Sequence, residues 1–210
     1  MSTPKTKRQQ ASEQRRQAIL DAALDVFAAE GFTAARLDDV AAKAGVAKGT
    51  IYLFFKDKEE LFEQIVVAAI SPVLARFEAL AEAETMPLDQ VLDTLFAFFQ
   101  SEVIATRRRD VIWLVLTEGR RFPRIAEIYH RMVISKGLGI IRRIAENAYR
   151  RGEISSDGLV RFPHLIFAPL IMTLIWNGLF ANYQSLDVTE MLKIHRQFLV
   201  GATAPKPRED

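Results

Sequence analysis

Apolar residues recur three and four positions apart along most of the chain, the spacing of helices that each bury one stripe. No segment alternates apolar and polar positions over the length of a strand. Ala18, Ile19, Ala22, Ala23, Val26 and Phe27 form the first stripe. They predict a helix over about residues 12–30, with Ser12 as its cap and Gly31 as its end. A second helix is predicted over 37–44, with Leu37, Val40 and Ala41 on its inner face. Gly45 suits a left-handed turn after it, and Val46 plugs the centre of the motif. A third, short helix is predicted over about 47–54. A fourth covers about 57–83, with Asp57 as its cap, Glu60 as capping-box partner and a kink near Pro72.

The pattern restarts after Met86-Pro87. Helices are predicted at about 88–106, 110–119, 123–151, 158–183 and 188–201, with Pro123 suited to a first turn. Short connections favour antiparallel neighbours, so the fold class is all-α, a bundle of about nine helices. The most apolar run, LIFAPLIMTLIWNGLFA at 165–181, is shorter than the roughly 20 residues that span a bilayer, and it contains Pro169 and Asn177. Burial in protein, in a subunit interface, is expected, and no membrane partner.

The segment RLDDVAAKAGVAKGTIYLFFKDKEELF, residues 36–62, carries the chemistry. Two short helical patterns meet at a glycine turn, and the second places Lys48, Thr50 and Tyr52 where an apolar face should be unbroken. That is the pattern of a helix-turn-helix that lays its second helix in the DNA major groove. Gly49 lets the backbone approach phosphate, and Thr50 with neighbouring amides can bond to phosphate oxygens. Lys48 can reach a phosphate or a guanine edge, Tyr52 offers a ring and a hydroxyl, and Lys58 can clamp the DNA backbone from the next helix. Ile51 and Phe55 read as core. Phe54 fits either packing or a thymine methyl.

With 210 residues, the chain is long enough for one extended helical domain or two small ones that share a core. Its net charge of +2 means that DNA affinity must come from local patches. Lys5, Lys7, Arg8, Arg15 and Arg16 face one acid, Glu13, at the N-terminus. This is either a solubilising tail or an arm on phosphates, and no apolar run follows it as a signal peptide would require. Absence of cysteine excludes a disulfide framework and a cysteine-zinc site, and is compatible with the cytoplasm. His130, His164 and His195 are scattered without metal-ligand spacing, and no phosphate loop or nucleophile motif occurs, so no enzyme activity, metal or cofactor is expected.

RRQAILDAALDVFAAEGF followed by LDDVAAKAGVAKGTIYLFFKDKEELF resembles the TetR (tetracycline-repressor) family of bacterial transcription regulators over about residues 15–66. The resemblance implies a helix-turn-helix domain over 12–58, a ligand-binding and dimerisation domain over 59–201, and flexible tails at 1–11 and 202–210. It implies that Lys48, Gly49, Thr50, Tyr52 and Phe54 face double-stranded DNA, with Lys58 on phosphate. Two positions depart from the family pattern. Ala35 and Arg36 stand where a capping threonine or serine is usual; the lost cap costs about 1 kcal/mol, and Arg36 is expected to replace the phosphate contact with a longer, charged one. Ala47 stands where serine is common.

A two-fold dimer on a palindromic operator follows from that resemblance. The last two helices are the expected interface, with Phe167, Leu170, Leu174, Phe180, Ile194 and Phe198 near it. A pocket for a small, largely apolar effector is expected among Phe96, Phe99, Trp113, Leu116, Tyr129, Met132, Met172, Trp176 and Asn177. Aromatics at helical spacing equally suit a plain core. Arg120, Arg121 and Arg124 read as a solvated basic face or as a contact for an anionic ligand. The implied action is repression, relieved when the effector tilts the fourth helix and moves the half-sites out of register. Control by a protein partner is the alternative.

Overall fold

A capping box at Thr6 starts the first helix earlier than its apolar stripe requires. In the computed structural model, which describes residues 6–83 and 85–201, the Thr6 hydroxyl accepts from the Gln9 N–H at 3.3 Å and the Gln9 side chain accepts from the Thr6 N–H at 2.8 Å. Two orphan donors at the helix end are thereby satisfied. α1 runs Lys7–Ala34, so Ser12 lies inside the helix instead of capping it. Of the expected tails, residues 1–5 and 202–210 lie outside the described residues, whereas 7–11 are helix.

Gly31 breaks α1 where the sequence places its end, and helix resumes only for the short stretch to Ala34. Its φ of 78° and ψ of 158° lie in a region essentially confined to glycine. α2, Leu37–Ala44, closes on Gly45 at φ 66° and ψ 33°, the left-handed cap that the sequence predicts. Neither Arg36 nor Ala47 gives its helix a side-chain cap. α3 is only Lys48–Tyr52. It stops short of residue 54 because the Leu53 and Phe54 amides bond three residues back, to Thr50 and Ile51, in a tightened turn. α4 runs Lys58–Glu82. Asp57 caps it by accepting from the Glu60 N–H at 2.8 Å, but Glu60 reaches back to the Lys56 N–H at 2.7 Å, not to that of the cap residue.

Downstream lie α5 (Leu88–Phe99), α6 (Arg108–Glu118), α7 (Pro123–Tyr129), α8 (Ser135–Arg150), α9 (Gly158–Arg161), α10 (His164–Phe180) and α11 (Val188–Gly201). Two expected helices are interrupted by π-turns, Gln100–Ile104 after α5 and His130–Ile134 between α7 and α8. The helix expected over 158–183 breaks at Phe162, which precedes Pro163 and has φ −125° and ψ 66°. The described residues contain no strand.

Two compact units result. One gathers the described residues up to Ser71 with Asp110–Met132; the other gathers Pro72–Arg109 with the described residues from Val133. The first is centred on Phe32, whose ring lies 5.3 Å from Phe27, 6.0 Å from Phe62 and 5.6 Å from Phe122. In the second, Phe77 packs on Phe98 and Phe167. Polar contacts tie its helices: the Leu88 N–H at the start of α5 donates to Glu153 at 2.6 Å, and Arg196 in α11 pairs with Asp93 in α5 at 3.1 Å. α4 is the one helix among the described residues that is long and apolar enough to cross a bilayer. Leu61, Phe62, Ile65, Val66 and Phe77 along it are buried in protein.

A Gly31→Ala substitution should destabilise the protein by about 1–3 kcal/mol. The new Cβ would also stand 3.2 Å from a Glu118 carboxylate oxygen. Urea denaturation reads the effect, and an unchanged midpoint would show that the bend relaxes freely.

Candidate nucleic-acid interface

Ile51 and Phe55, both fully buried, fix the orientation of α3. With those two inside, the opposite side must face solvent. Lys48, Gly49 and Tyr52 are exposed there, Thr50 and Phe54 are half-buried, and a side chain added at Gly49 would meet nothing within 4 Å. Leu53, 81% exposed, extends the same surface and escaped the sequence reading. Its signal was an apolar residue two positions off the buried stripe. Arg16, also missed, places its guanidinium over the Phe55 ring at 5.7 Å and donates to Gln64 at 2.6 Å, which holds α1 to the α3–α4 junction.

Charge on this surface is partly occupied. The Lys48 ammonium lies 2.9 Å from the Asp38 carboxylate, and the hydrogen bond to Asp38 pushes its pKa up while Arg36 works against it. An exposed pair of this kind is weak, so a phosphate can displace Asp38 at little cost. Arg36 is exposed at the start of α2.

Lys58 does something other than the expected phosphate clamp. Its ammonium donates to the carbonyls of Phe32 at 2.6 Å, Ala35 at 3.0 Å and Thr33 at 3.2 Å, and lies 4.7 Å from the centre of the Phe32 ring. These carbonyls end α1 and lack helical partners, which is why a cation settles there. Burial pushes the ammonium down, while Glu59 and Glu118 oppose that shift. Glu118 in turn accepts from the Thr33 hydroxyl at 2.9 Å. Thr33 and Glu118 are 85 positions apart, so no local pattern announces the contact.

The expected pocket residues divide between the units. Trp113, Leu116, Tyr129 and Met132 belong to the first, and Phe96, Phe99, Met172, Trp176 and Asn177 to the second. Tyr129, Phe96 and Phe99 are buried, and burial pushes the Tyr129 phenol up. Trp113 and Met132 are half-buried. Leu116 and Met172 are exposed, on the solvent sides of their helices. Trp176 and Asn177 are committed elsewhere: the indole N–H donates to the Gln184 carbonyl at 2.8 Å and the Asn177 amide oxygen accepts from the Leu186 N–H at 3.3 Å. Both fasten the loop that follows α10. A polar cavity of about 520 Å³, lined by residues including Glu63, Arg124 and Ile128, lies in the first unit. Arg124 is paired there with Glu127 at 2.8 Å.

Among the expected interface residues, Leu170 and Leu174 are buried within the chain, because they lie on the stripe of α10 that packs inward with Ile166. Phe180, Ile194 and Phe198 are exposed, Phe198 at 73%, and Phe167 is half-buried against Phe77. The described residues hold no cluster of metal-ligating side chains.

Residues 19–65, from the buried stripe of α1 into α4, match the family model of bacterial regulatory proteins, tetR family. That stretch of the chain is a TetR-family helix-turn-helix segment. Similar TetR-family chains include the helix-turn-helix-type transcriptional regulator SrpR of Pseudomonas putida, 25% identical over 86% of this chain and 82% of its own length. AcrR of Shigella flexneri is 28% identical over 87% of this chain and 86% of its own. Among solved structures, FadR from Bacillus subtilis in complex with stearoyl-CoA superposes with a TM-score of 0.70 and 26% identity, covering 89% of this chain and 98% of that one. TetR-family proteins of this kind are transcriptional regulators and not enzymes.

If Lys48 leaves Asp38 for phosphate on binding, Lys48→Ala should weaken DNA binding and lower the salt slope by about one per site. Asp38→Asn should tighten it, because the ammonium is already released. Fluorescence anisotropy over a salt series reads both, and an unchanged slope in Lys48→Ala would remove this residue from the interface.

Proposed function

We infer that the chain is a dimeric repressor that reads a palindromic operator and leaves it on binding a largely apolar effector. In this reading residues 12–58 read DNA, while 59–201 bind the effector and dimerise. The observation that carries it is the outward face of α3: Lys48, Gly49 and Tyr52 lie open on a helix anchored from behind by Ile51 and Phe55. With Thr50 and Arg36 they supply phosphate donors and base-edge contacts of the kind that a major-groove helix uses.

Dimerisation is supported by α10 and α11. Leu165, Met172 and Leu179 are each about half exposed and fall seven residues apart, a seam like that of helices packed in a coiled coil. Ile194 and Phe198 add a second exposed pair at helical spacing. Apolar surface of this extent, left in water, is unusual for a monomer. Corrected for Leu170 and Leu174, the interface comprises Leu165, Met172, Leu179, Phe180, Ile194 and Phe198. An apolar effector is supported by the resemblance to FadR, which is described with stearoyl-CoA. A long acyl thioester is therefore the first ligand to try.

Footprinting on the DNA beside its own gene should show a protected inverted repeat with half-site centres about 34 Å, or a multiple of that, apart. Phe198→Glu should yield monomers in sedimentation and cost at least roughly tenfold in operator affinity, since one protomer reads only one half-site. Stearoyl-CoA should lower the affinity of the unaltered protein. A Phe198→Glu protein that stays dimeric and binds normally would exclude this interface, and absence of any protected repeat would sink the operator reading.

A further inference from the structure

α1 extends well beyond the core it helps to build. The first buried residue of the helix is Ile19, and from Lys7 to Ala18 every side chain but that of Arg16 is exposed. Twelve helical residues reach about 18 Å, the length of about five base pairs. The helix is regular up to Gly31, so its faces keep their direction along this overhang.

That regularity identifies what the overhang presents. Arg15 lies four residues before Ile19, and Arg8 seven before Arg15. Arg8 is also 18 residues, five full turns, before the buried Val26. The two arginines thus continue the stripe that packs inward farther along α1. Where the core ends, the inward stripe changes from apolar to basic. Neither Arg8 nor Arg15 has an ion-pair partner among the described residues, and the overhang carries one acid, Glu13, which lies 3.8 Å from Arg16. Arg16 fixes where the overhang begins, since it is held at Phe55 and Gln64, just past the exposed Tyr52 and Leu53.

We propose that Arg8 and Arg15 form a second DNA contact, gripping phosphates of the duplex that flanks the sequence read by α3. The inference rests on the operator-binding reading and adds a site to it. Two guanidiniums about two turns, roughly 11 Å, apart on one helix face can each take a separate phosphate, and the contact is with backbone, so it adds affinity and footprint length without base preference.

The test is the double variant R8A/R15A in the full chain. Alanine favours helix at exposed positions, so α1 should persist, which circular dichroism checks. On an operator fragment with flanks, two phosphate contacts per protomer predict a salt slope lower by about 3.6 per dimer, at about 0.9 per contact. Trimming the flanks back to the inverted repeat should cost the unaltered protein about tenfold in affinity and the variant less than about twofold. The slope on a random-sequence duplex should fall as well. Equal slopes for both proteins on both duplexes would overturn the proposal. If the unaltered protein protects no inverted repeat, the operator reading fails by itself, and the slopes on random-sequence duplex still decide the arm.

Discussion

Phe32 is the side chain on which the first compact unit depends. It reaches its place only because Gly31 adopts a backbone conformation barred to other residues, turning the last residues of α1 inward. Once there, its ring touches Phe27 from its own helix, Phe62 from α4 and Phe122 from the turn before α7, while the Lys58 ammonium lies over its face. Edge-to-face pairs of this kind add to the burial of area, and a cation over an aromatic face adds more where water is thin. Lys58 further ties together three carbonyls that follow the bend. The corner between α1 and α2, which sets how α2 and α3 are presented, is thereby held from several directions.

Against that corner, α3 itself is slight. Five residues cannot be stable as an isolated helix, and the missing cap at Ala47 weakens it further. Its persistence rests on Ile51 and Phe55 in the core and on the left-handed turn at Gly45. In the proposed reading, affinity for DNA comes largely from charge, and the charge is local: Lys48, Arg36 and the overhang of α1, in a chain whose net charge is only +2. Salt dependence is thus the most direct readout of how this surface works.

Local chemistry was legible in the sequence; distant contacts were not. α2 falls at residues 37–44 as expected, because its stripe, its left-handed glycine and its length are all local signals. The outward α3 residues were legible for the same reason. The start of α1 was misplaced because apolar periodicity is silent in an overhang that buries nothing, and the Thr6–Gln9 box is a weaker signal than a stripe. π-turns shift the register by one residue without removing the apolar spacing, so 100–104 and 130–134 read as plain helix. The role of Lys58 depends on carbonyls more than 20 residues away, and that of Glu118 on a hydroxyl 85 positions away.

α10 shows the same limit in its sharpest form. It is apolar nearly all round, so periodicity cannot say which stripe the chain covers and which it leaves open. Packing decides: Ile166, Leu170, Thr173 and Leu174 turn inward, and Leu165, Met172 and Leu179 stay out. A helix with two apolar stripes and one covering layer requires a second layer if it is to remain in water. The two stripes diverge in composition as well. The inward one holds a polar residue, Thr173, whereas the outward one carries Leu165, Met172 and Leu179 with the small Ala168 between the first two. In the proposed dimer the inward stripe is buried once, as the single chain folds, and the outward one is covered only when two chains meet by collision.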